Sequence, residues 1–386
     1  MRTIAAVTSS RADFGILTPV LREIASRPAL ELKLYVTGMH ASPRFADALR
    51  EIEASGFPVA AKIGAIPDDD SPAAIGEALG RSTAAFAREL ATQPDILLVL
   101  GDRFDMFAAV LGALPHGIPA AHLHGGESSF GVIDEQIRHA ITKLAHLHFV
   151  ATAEYARRVV QMGEAPWRVH VSGAPALDAI ANFTYPAFDK LSKRIGFDCA
   201  SRFVLVTFHP ETLAGMPPLA QIEELLGALA GLDLPIVITG SNTDSGGAAI
   251  DTALRQFCAT APNRAYVAHL GVELYYTAMR AAAVMVGNSS SGIIEAASFG
   301  LPVVNIGRRQ DGRVRQPNIV DAPLTRAEIS NALRQALAPE FRAALGNHAN
   351  VYGDGNAAKR IVDVLERQPL GPELVVKKFH DMKVPE

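Results

Sequence analysis

The feature that most constrains the fold is an alternation. Short apolar runs rich in Val, Ile and Leu are each followed by a polar or glycine-containing turn and then by a longer amphipathic stretch. In the first half these runs are Ile4–Val7, Leu32–Val36, Ile96–Leu100, Ala120–Leu123 and Leu147–Val150. Short runs that are apolar at nearly every position fit strands buried on both faces, and the amphipathic stretches fit the helices that cover them. The alternation therefore implies βαβ units and a parallel sheet, with ligands gathered at the carboxyl ends of the strands. The pattern returns at Phe203–Thr207, Ile236–Thr239, Tyr266–Val267, Val284–Val286 and Val303–Ile306.

The expected organisation is α/β, with two Rossmann-like doubly wound domains over residues 1–180 and 181–352 and a C-terminal helix and tail over 353–386. The turn-rich stretch Asn182–Cys199 reads as the crossover between domains. Two such halves facing one another would form a cleft, the usual place for small-molecule chemistry. A chain of 386 residues can bury two cores of ordinary size. Its net charge of −4 leaves no global positive field for nucleic acid or an anionic membrane, so an anionic ligand must be held by local groups. The two cysteines, Cys199 and Cys258, lack the paired spacing of a zinc or redox motif and read as buried thiols. No run approaches the roughly 20 apolar residues that span a bilayer, and the apolar part of the N-terminus is too short for a secretory signal. The expected location is the cytoplasm.

Neither G-x-G-x-x-G after the first strand nor G-x-x-x-x-G-K-[ST] occurs, which removes the main support for dinucleotide redox and P-loop chemistry. The loop after the first strand, Thr8-Ser9-Ser10-Arg11-Ala12-Asp13-Phe14-Gly15, suits either an anion or a plain helix cap with a solvated arginine. A second loop, Gly287-Asn288-Ser289-Ser290-Ser291-Gly292, precedes a helix. Its small residues would let the backbone approach a diphosphate, and Glu295 one turn later could accept both hydroxyls of a ribose or simply offset the helix dipole. Arg308, Arg309, Arg313 and Arg315 form a basic cluster after the next strand, from which one or two would face phosphate.

Acid and base candidates lie mostly in the first half. Asp102 and Arg103 follow the strand Ile96–Leu100, as a catalytic pair or as structural partners of their loop. His122 and His124 are two apart and would share one strand face, a spacing that can ligate metal, although no further ligands are nominated. We expect a catalytic or hydrogen-bonding role for His124 rather than a metal. Asp134 and Glu135 open a helical stretch that either could cap, and His209 stands past a strand where it could donate to phosphate or shuttle a proton.

Taken together, Ser10-Arg11-Ala12-Asp13, Thr37-Gly38-Met39-His40, Gly101-Asp102-Arg103, His124-Gly125-Gly126-Glu127, Arg138-His139-Ala140-Ile141-Thr142-Lys143, Phe208-His209-Pro210-Glu211-Thr212, Gly287 to Gly292 and Gly353-Asp354-Gly355-Asn356 resemble the hydrolysing UDP-N-acetylglucosamine 2-epimerases. The resemblance covers nearly the whole chain, in order, and extends to the bacterial sialic-acid branch and to the epimerase part of the animal bifunctional enzyme. It implies the GT-B architecture with a C-terminal helix crossing back to the first domain. It implies Ser289, Ser290 and Arg309 near phosphate, Glu295 on ribose, Asn242 and His209 close by, Leu270 and Tyr275 flanking the uracil, and Arg11 and Arg103 reaching in from the first domain.

The implied reaction removes the sugar C2 proton as UDP leaves C1, giving a glycal, and then adds water to yield N-acetylmannosamine. Asp102, Asp134 or Glu135, and His209 are the implied acid and base groups, with His124 standing where the animal enzyme has glutamate. No metal or redox cofactor is required, and a homodimer or homotetramer is implied. Three alternatives remain open: the same reaction on a UDP- or GDP-linked 2,4-diacetamido-trideoxy sugar, a GT-B glycosyltransferase, and a nucleotide-sugar-binding protein without turnover.

Overall fold

Val, Ile and Leu lose little by stiffening in an extended backbone and gain from burial on both faces, so the apolar runs become the central strands of two parallel sheets. The computed structural model describes residues 1–41, 46–63, 67, 69, 71–130, 132–185, 188–199, 202–211, 215–241, 247–346 and 348–382. The chain divides into two compact units, one of Met1–Glu127, Asp134–Asn182 and Tyr352–Glu386, the other of Ser128–Ile133 and Phe183–Val351.

The first unit contains β1 (Arg2–Thr8), β2 (Leu30–Thr37), β3 (Val59–Ile63), β4 (Ile96–Leu100), β5 (Ala120–Leu123), β6 (Leu147–Val150) and β7 (Val169–Val171). Their order is β3-β2-β1-β4-β5-β6-β7, all parallel, with Ile4 opposite Ile96 where the order reverses. The second unit contains β8 (Val204–Thr207), β9 (Ile236–Thr239), β10 (Arg264–Val267), β11 (Val284–Gly287), β12 (Val303–Ile306) and β13 (Ile319–Ala322), in the order β10-β9-β8-β11-β12-β13. Each sheet reverses between its first and fourth strand in chain order, and in open α/β sheets such a reversal point is where ligands bind. β3, β7 and β13 were not among the expected strands. They are sheet edges whose mixed burial breaks the continuous apolar run that identifies a central strand.

The helix Arg11–Ser26 buries Phe14, Leu17, Val20, Leu21 and Ile24 and is started by a capping box between Ser10 and Asp13. Ile361, Val362 and Leu365 of the helix Ala357–Arg367 enter the same core, so this C-terminal helix belongs to the first unit. Its start is fixed by the Asp178 carboxylate, which accepts from the Ala357 and Ala358 amides at 2.9 and 2.7 Å. The two cysteines are buried and free. Among the described residues no helix is long and apolar enough to cross a membrane.

The tail, which the sequence leaves as polar and unassigned, docks on the first unit. Arg168 donates to the Leu374 and Glu373 carbonyls at 2.8 and 2.7 Å. Lys377 reaches the buried Glu164 carboxylate at 2.8 Å, and Phe379 covers Gly163 with Lys143 over its ring.

Candidate functional site

At the carboxyl end of β4, Gly101 adopts φ +80° and turns the chain so that Asp102 and Arg103 follow directly. Asp102 is ion-paired with Arg138, a guanidinium only 1 % exposed on the helix Asp134–Leu144. Arg138 also donates to Glu135 Oε2 at 3.0 Å and to the Glu127 carbonyl at 3.1 Å. One buried cation therefore gathers Asp102, Glu135 and the loop after β5. Glu135 is further bonded to His139 Nε2 at 3.0 Å, while Asp134 is the first residue of the helix. Sequence reasoning quoted Arg138 only inside a motif. Its position three residues after Glu135 on a helix is the signal that would have paired them.

The two histidines do not share a face, correcting the expected alternation, because β5 ends at Leu123 and His124 turns into a left-handed backbone of φ +63°. His122 is fully buried and donates from Nε2 to the Gly101 carbonyl at 2.7 Å. Burial brings its pKa down to about 3 despite that bond, so it stays neutral. His124 instead donates from Nδ1 to Glu127 Oε1 at 2.6 Å, and its buried Nε2 has no hydrogen-bond partner. Gly126 makes this turn possible: its φ is +75°, and a Cβ there would stand 2.6 Å from the Tyr155 carbonyl. Among the described residues no three His, Cys, Asp or Glu side chains are grouped to hold a metal ion.

At the end of β1, Asp13 organises the loop. It accepts from the Ser10 amide at 2.7 Å and from the Ser9 and Ser10 hydroxyls at 2.8 and 2.9 Å. Arg11 is half-buried on this loop, 3.8 Å from Glu51. Arg103 stands 3.4 Å from the buried Asp105, whose pKa is raised by burial against the pull of Arg103.

In the second unit, the loop between β11 and the short helix Ser290–Ile294 is held by a chain of hydroxyls. Ser289 Oγ lies 2.9 Å from Ser291 Oγ, which lies 2.7 Å from the Tyr275 hydroxyl. Tyr275 is thereby fixed on the helix Gly271–Ala281, and burial pushes its pKa to about 12; Leu270, just before that helix, is buried. Glu295 ends the short helix 7 % exposed, and burial raises its carboxyl to about 7. Asn288, fully buried, clamps His209 by accepting from its amide and donating to its carbonyl, both at 2.8 Å. The His209 imidazole is brought down to about 3 by burial and the Arg309 charge, which makes it a neutral group.

Glu211 fixes the basic loop by accepting from the Arg308 and Arg309 amides at 2.8 and 3.0 Å. Arg309 Nη1 approaches the Asn288 carbonyl at 3.3 Å, whereas Arg308 is 79 % exposed and Arg315 pairs with Asp321 at 2.9 Å. This brings Ser289, Arg309 and His209 around Asn288, a residue that sequence reasoning quoted without a role. Asn242 lies outside the described residues.

Residues 22–366 match the family model described as UDP-N-acetylglucosamine 2-epimerase. The chain is 36% identical over 382 residues to the UDP-N,N'-diacetylbacillosamine 2-epimerase (hydrolyzing) of Legionella pneumophila, covering 98% of this chain and 99% of that protein. It is 32% identical over 343 residues to the UDP-N-acetylglucosamine 2-epimerase of Neisseria meningitidis, covering 87% of this chain and 88% of that protein. A crystal structure of UDP-GlcNAc 2-epimerase from Neisseria meningitidis bound to UDP-GlcNAc superposes with a TM-score of 0.81 at 19% identity, covering 95% of this chain and 99% of that one. At that identity the superposition speaks for the fold, two parallel-sheet α/β domains of GT-B type.

Proposed function

Because this chain belongs to the UDP-N-acetylglucosamine 2-epimerase family, we propose that it hydrolyses and epimerises a nucleotide-linked 2-acetamido sugar, releasing the free 2-epimer and a nucleoside diphosphate. The observation that carries this reading is the end-to-end 36% identity to an enzyme whose name states both the 2-epimerase and the hydrolysing activity. The same relative makes a UDP-linked diacetamido-trideoxy sugar the first substrate to test, ahead of UDP-N-acetylglucosamine, since the N-acetylglucosamine enzyme matches at 32% over a shorter stretch.

The chemistry needs a base for the C2 proton, an acid to reprotonate C2 and groups to steady the departing diphosphate. Asp102, His124, Asp134 and Glu135 supply acid and base groups in the first unit. Ser289, Ser290 and Arg309 serve the diphosphate, Glu295 the ribose, and Leu270 and Tyr275 the base, with His209 a neutral hydrogen-bond donor. Arg11 and Arg103 add positive charge from the first unit. Product release in the cytoplasm by a homo-oligomer is part of this reading.

Proton NMR in deuterated water tests it. The purified protein, given each sugar nucleotide separately, should release a 2-epimer carrying deuterium at C2 together with nucleoside diphosphate. Unchanged sugar nucleotides in every tube would overturn the reading and favour the transferase or binding-protein alternatives.

Glu295 gives a second check. An ionised carboxylate accepts both ribose hydroxyls, and its pKa of about 7 in the free protein means that acid removes this acceptor. UDP affinity should therefore fall as the pH drops below about 7 and level off above it. Glu295→Gln should weaken UDP by about tenfold, in line with about 1.5 kcal/mol for a hydrogen bond to a charged group, and flatten the pH dependence. Calorimetric titration at a series of pH values reads both effects, and an unchanged profile in the variant would remove Glu295 from the ribose.

A further inference from the structure

The reaction outlined above counts His124 among its acid and base groups without dividing their roles, and the contact between His124 and Glu127 lets one role be assigned. We propose that His124 and Glu127 form a dyad in which Glu127 fixes the proton on Nδ1, so that Nε2 presents its lone pair as the base for the sugar C2 proton. This inference rests on the epimerase reading and names its proton acceptor.

Four observations meet here. Nδ1 and Glu127 Oε1 are 2.6 Å apart, and a carboxylate oxygen only accepts, so the proton resides on Nδ1. The Glu127 side chain is 1 % exposed and that of His124 11 % exposed, so water competes little for the bond. Nε2 is buried without a partner, an arrangement that is costly unless the atom is kept for a ligand or a reaction. The left-handed backbone at His124, uncommon for a residue other than glycine, is held by the turn through Gly126. Strained backbone of this kind gathers where a side chain must be aimed. Glu127 touches the imidazole and not the reacting atoms, which makes it a positioning residue and His124 the catalytic one.

Nε2 takes the C2 proton, the C–H pair becomes the C1=C2 π bond, and the C1–O bond breaks with its pair going to the nucleoside diphosphate. Water then adds, its hydroxyl to C1, while an acid of solvent-exchanged origin delivers a proton to C2, and the imidazolium returns its proton to solvent. Titratable and charged neighbours of the dyad among the described residues include His122, Arg138 and Arg158, with Asp102 and Glu135 bound to Arg138. Burial keeps His122 neutral, so it does not compete for the proton.

The test uses the full chain with the sugar nucleotide that the wild type turns over. Glu127→Gln offers an amide that can turn its NH2 toward Nδ1 and select the wrong tautomer. It should lower kcat by about 10²–10⁴-fold with KM changed by less than about threefold. His124→Gln should lose a similar factor in kcat, with UDP binding retained. With substrate deuterated at C2, the isotope effect on kcat should grow in Glu127→Gln as proton abstraction becomes limiting. Activity within tenfold of wild type in Glu127→Gln or in His124→Gln would overturn the dyad. Should His124→Gln fail to fold, Glu127→Gln and its isotope effect decide alone. A wild type that makes no epimer overturns the function; a working wild type with indifferent variants overturns only the dyad.

Discussion

Arg138→Met is expected to lower unfolding stability by about 3–5 kcal/mol and to abolish measurable turnover, the largest combined effect of any single substitution at the site. Arg138 is 1 % exposed and holds Asp102, Glu135 Oε2 and the Glu127 carbonyl at once. Methionine fills much of the same volume, so the loss is electrostatic rather than a cavity effect. It leaves two carboxylates near one another without their shared counterion. Both keep partial access to water, at 24 % and 21 % side-chain exposure, which places the expected loss toward the lower end of that range. Urea unfolding monitored by circular dichroism gives the magnitude, and a loss under about 1 kcal/mol would show that solvent already satisfies the pair. Adding Asp102→Asn to Arg138→Met should restore part of the stability, because one unpaired charge is removed. The coupling from the double-mutant cycle should fall at about 1–3 kcal/mol. Asp102→Asn alone should cost little stability and about 10²–10⁴-fold in kcat, separating its part in turnover from the part Arg138 plays in the fold.

This division explains what the sequence could and could not display. The central strands were legible because burial on both faces writes itself as an unbroken apolar run, as in Ile96–Leu100. β3 reads Val59-Ala60-Ala61-Lys62-Ile63, half exposed and ending an edge, so its composition resembles a loop as much as a strand. That Asp102, His124 and Ser289 come at the carboxyl ends of strands was legible for the same reason as the strands, since each follows an apolar run closely. Their partners were not. That Asp102 meets Arg138, 36 residues later, depends on where a helix is laid against the sheet, and sequence spacing carries no trace of it. The His122 and His124 pair misled because strand alternation applies only while the strand lasts, and the left-handed turn at His124 ended it. Asn288 and Glu211 act on backbone groups of His209, Arg308 and Arg309, and such contacts have no residue-type signature at the receiving end.

Glu164→Gln carries the second large effect, at a distance from these groups. The Glu164 carboxylate is buried and accepts from Lys143 at 2.6 Å, Lys377 at 2.8 Å and His148 Nε2 at 3.0 Å. Burial alone would raise its pKa, but the bonds from His148, Lys143 and Lys377 outweigh that and bring it to about 2. Removing the charge leaves Lys377 mostly buried beside His148, so the expected cost is about 3–5 kcal/mol at neutral pH. The pH dependence has a definite sign. A carboxyl whose folded pKa lies below its ordinary value of 4.5 stabilises the fold above that value and loses the contribution as the pH falls toward about 2. The gap between wild type and Glu164→Gln should accordingly be widest above pH 5 and should close in acid. Because Lys377 also donates to the Lys143 and Ala145 carbonyls, the same substitution should loosen the tail, seen as faster amide exchange at Val376 and His380. Lys143 lies in the last turn of the helix whose first turn carries Asp134 and Glu135, so loosening at one end should lower kcat several-fold without loss of UDP affinity. Equal unfolding midpoints at pH 7, with unchanged exchange at His380, would mean that Arg168 and its carbonyl bonds to Glu373 and Leu374 hold the tail unaided.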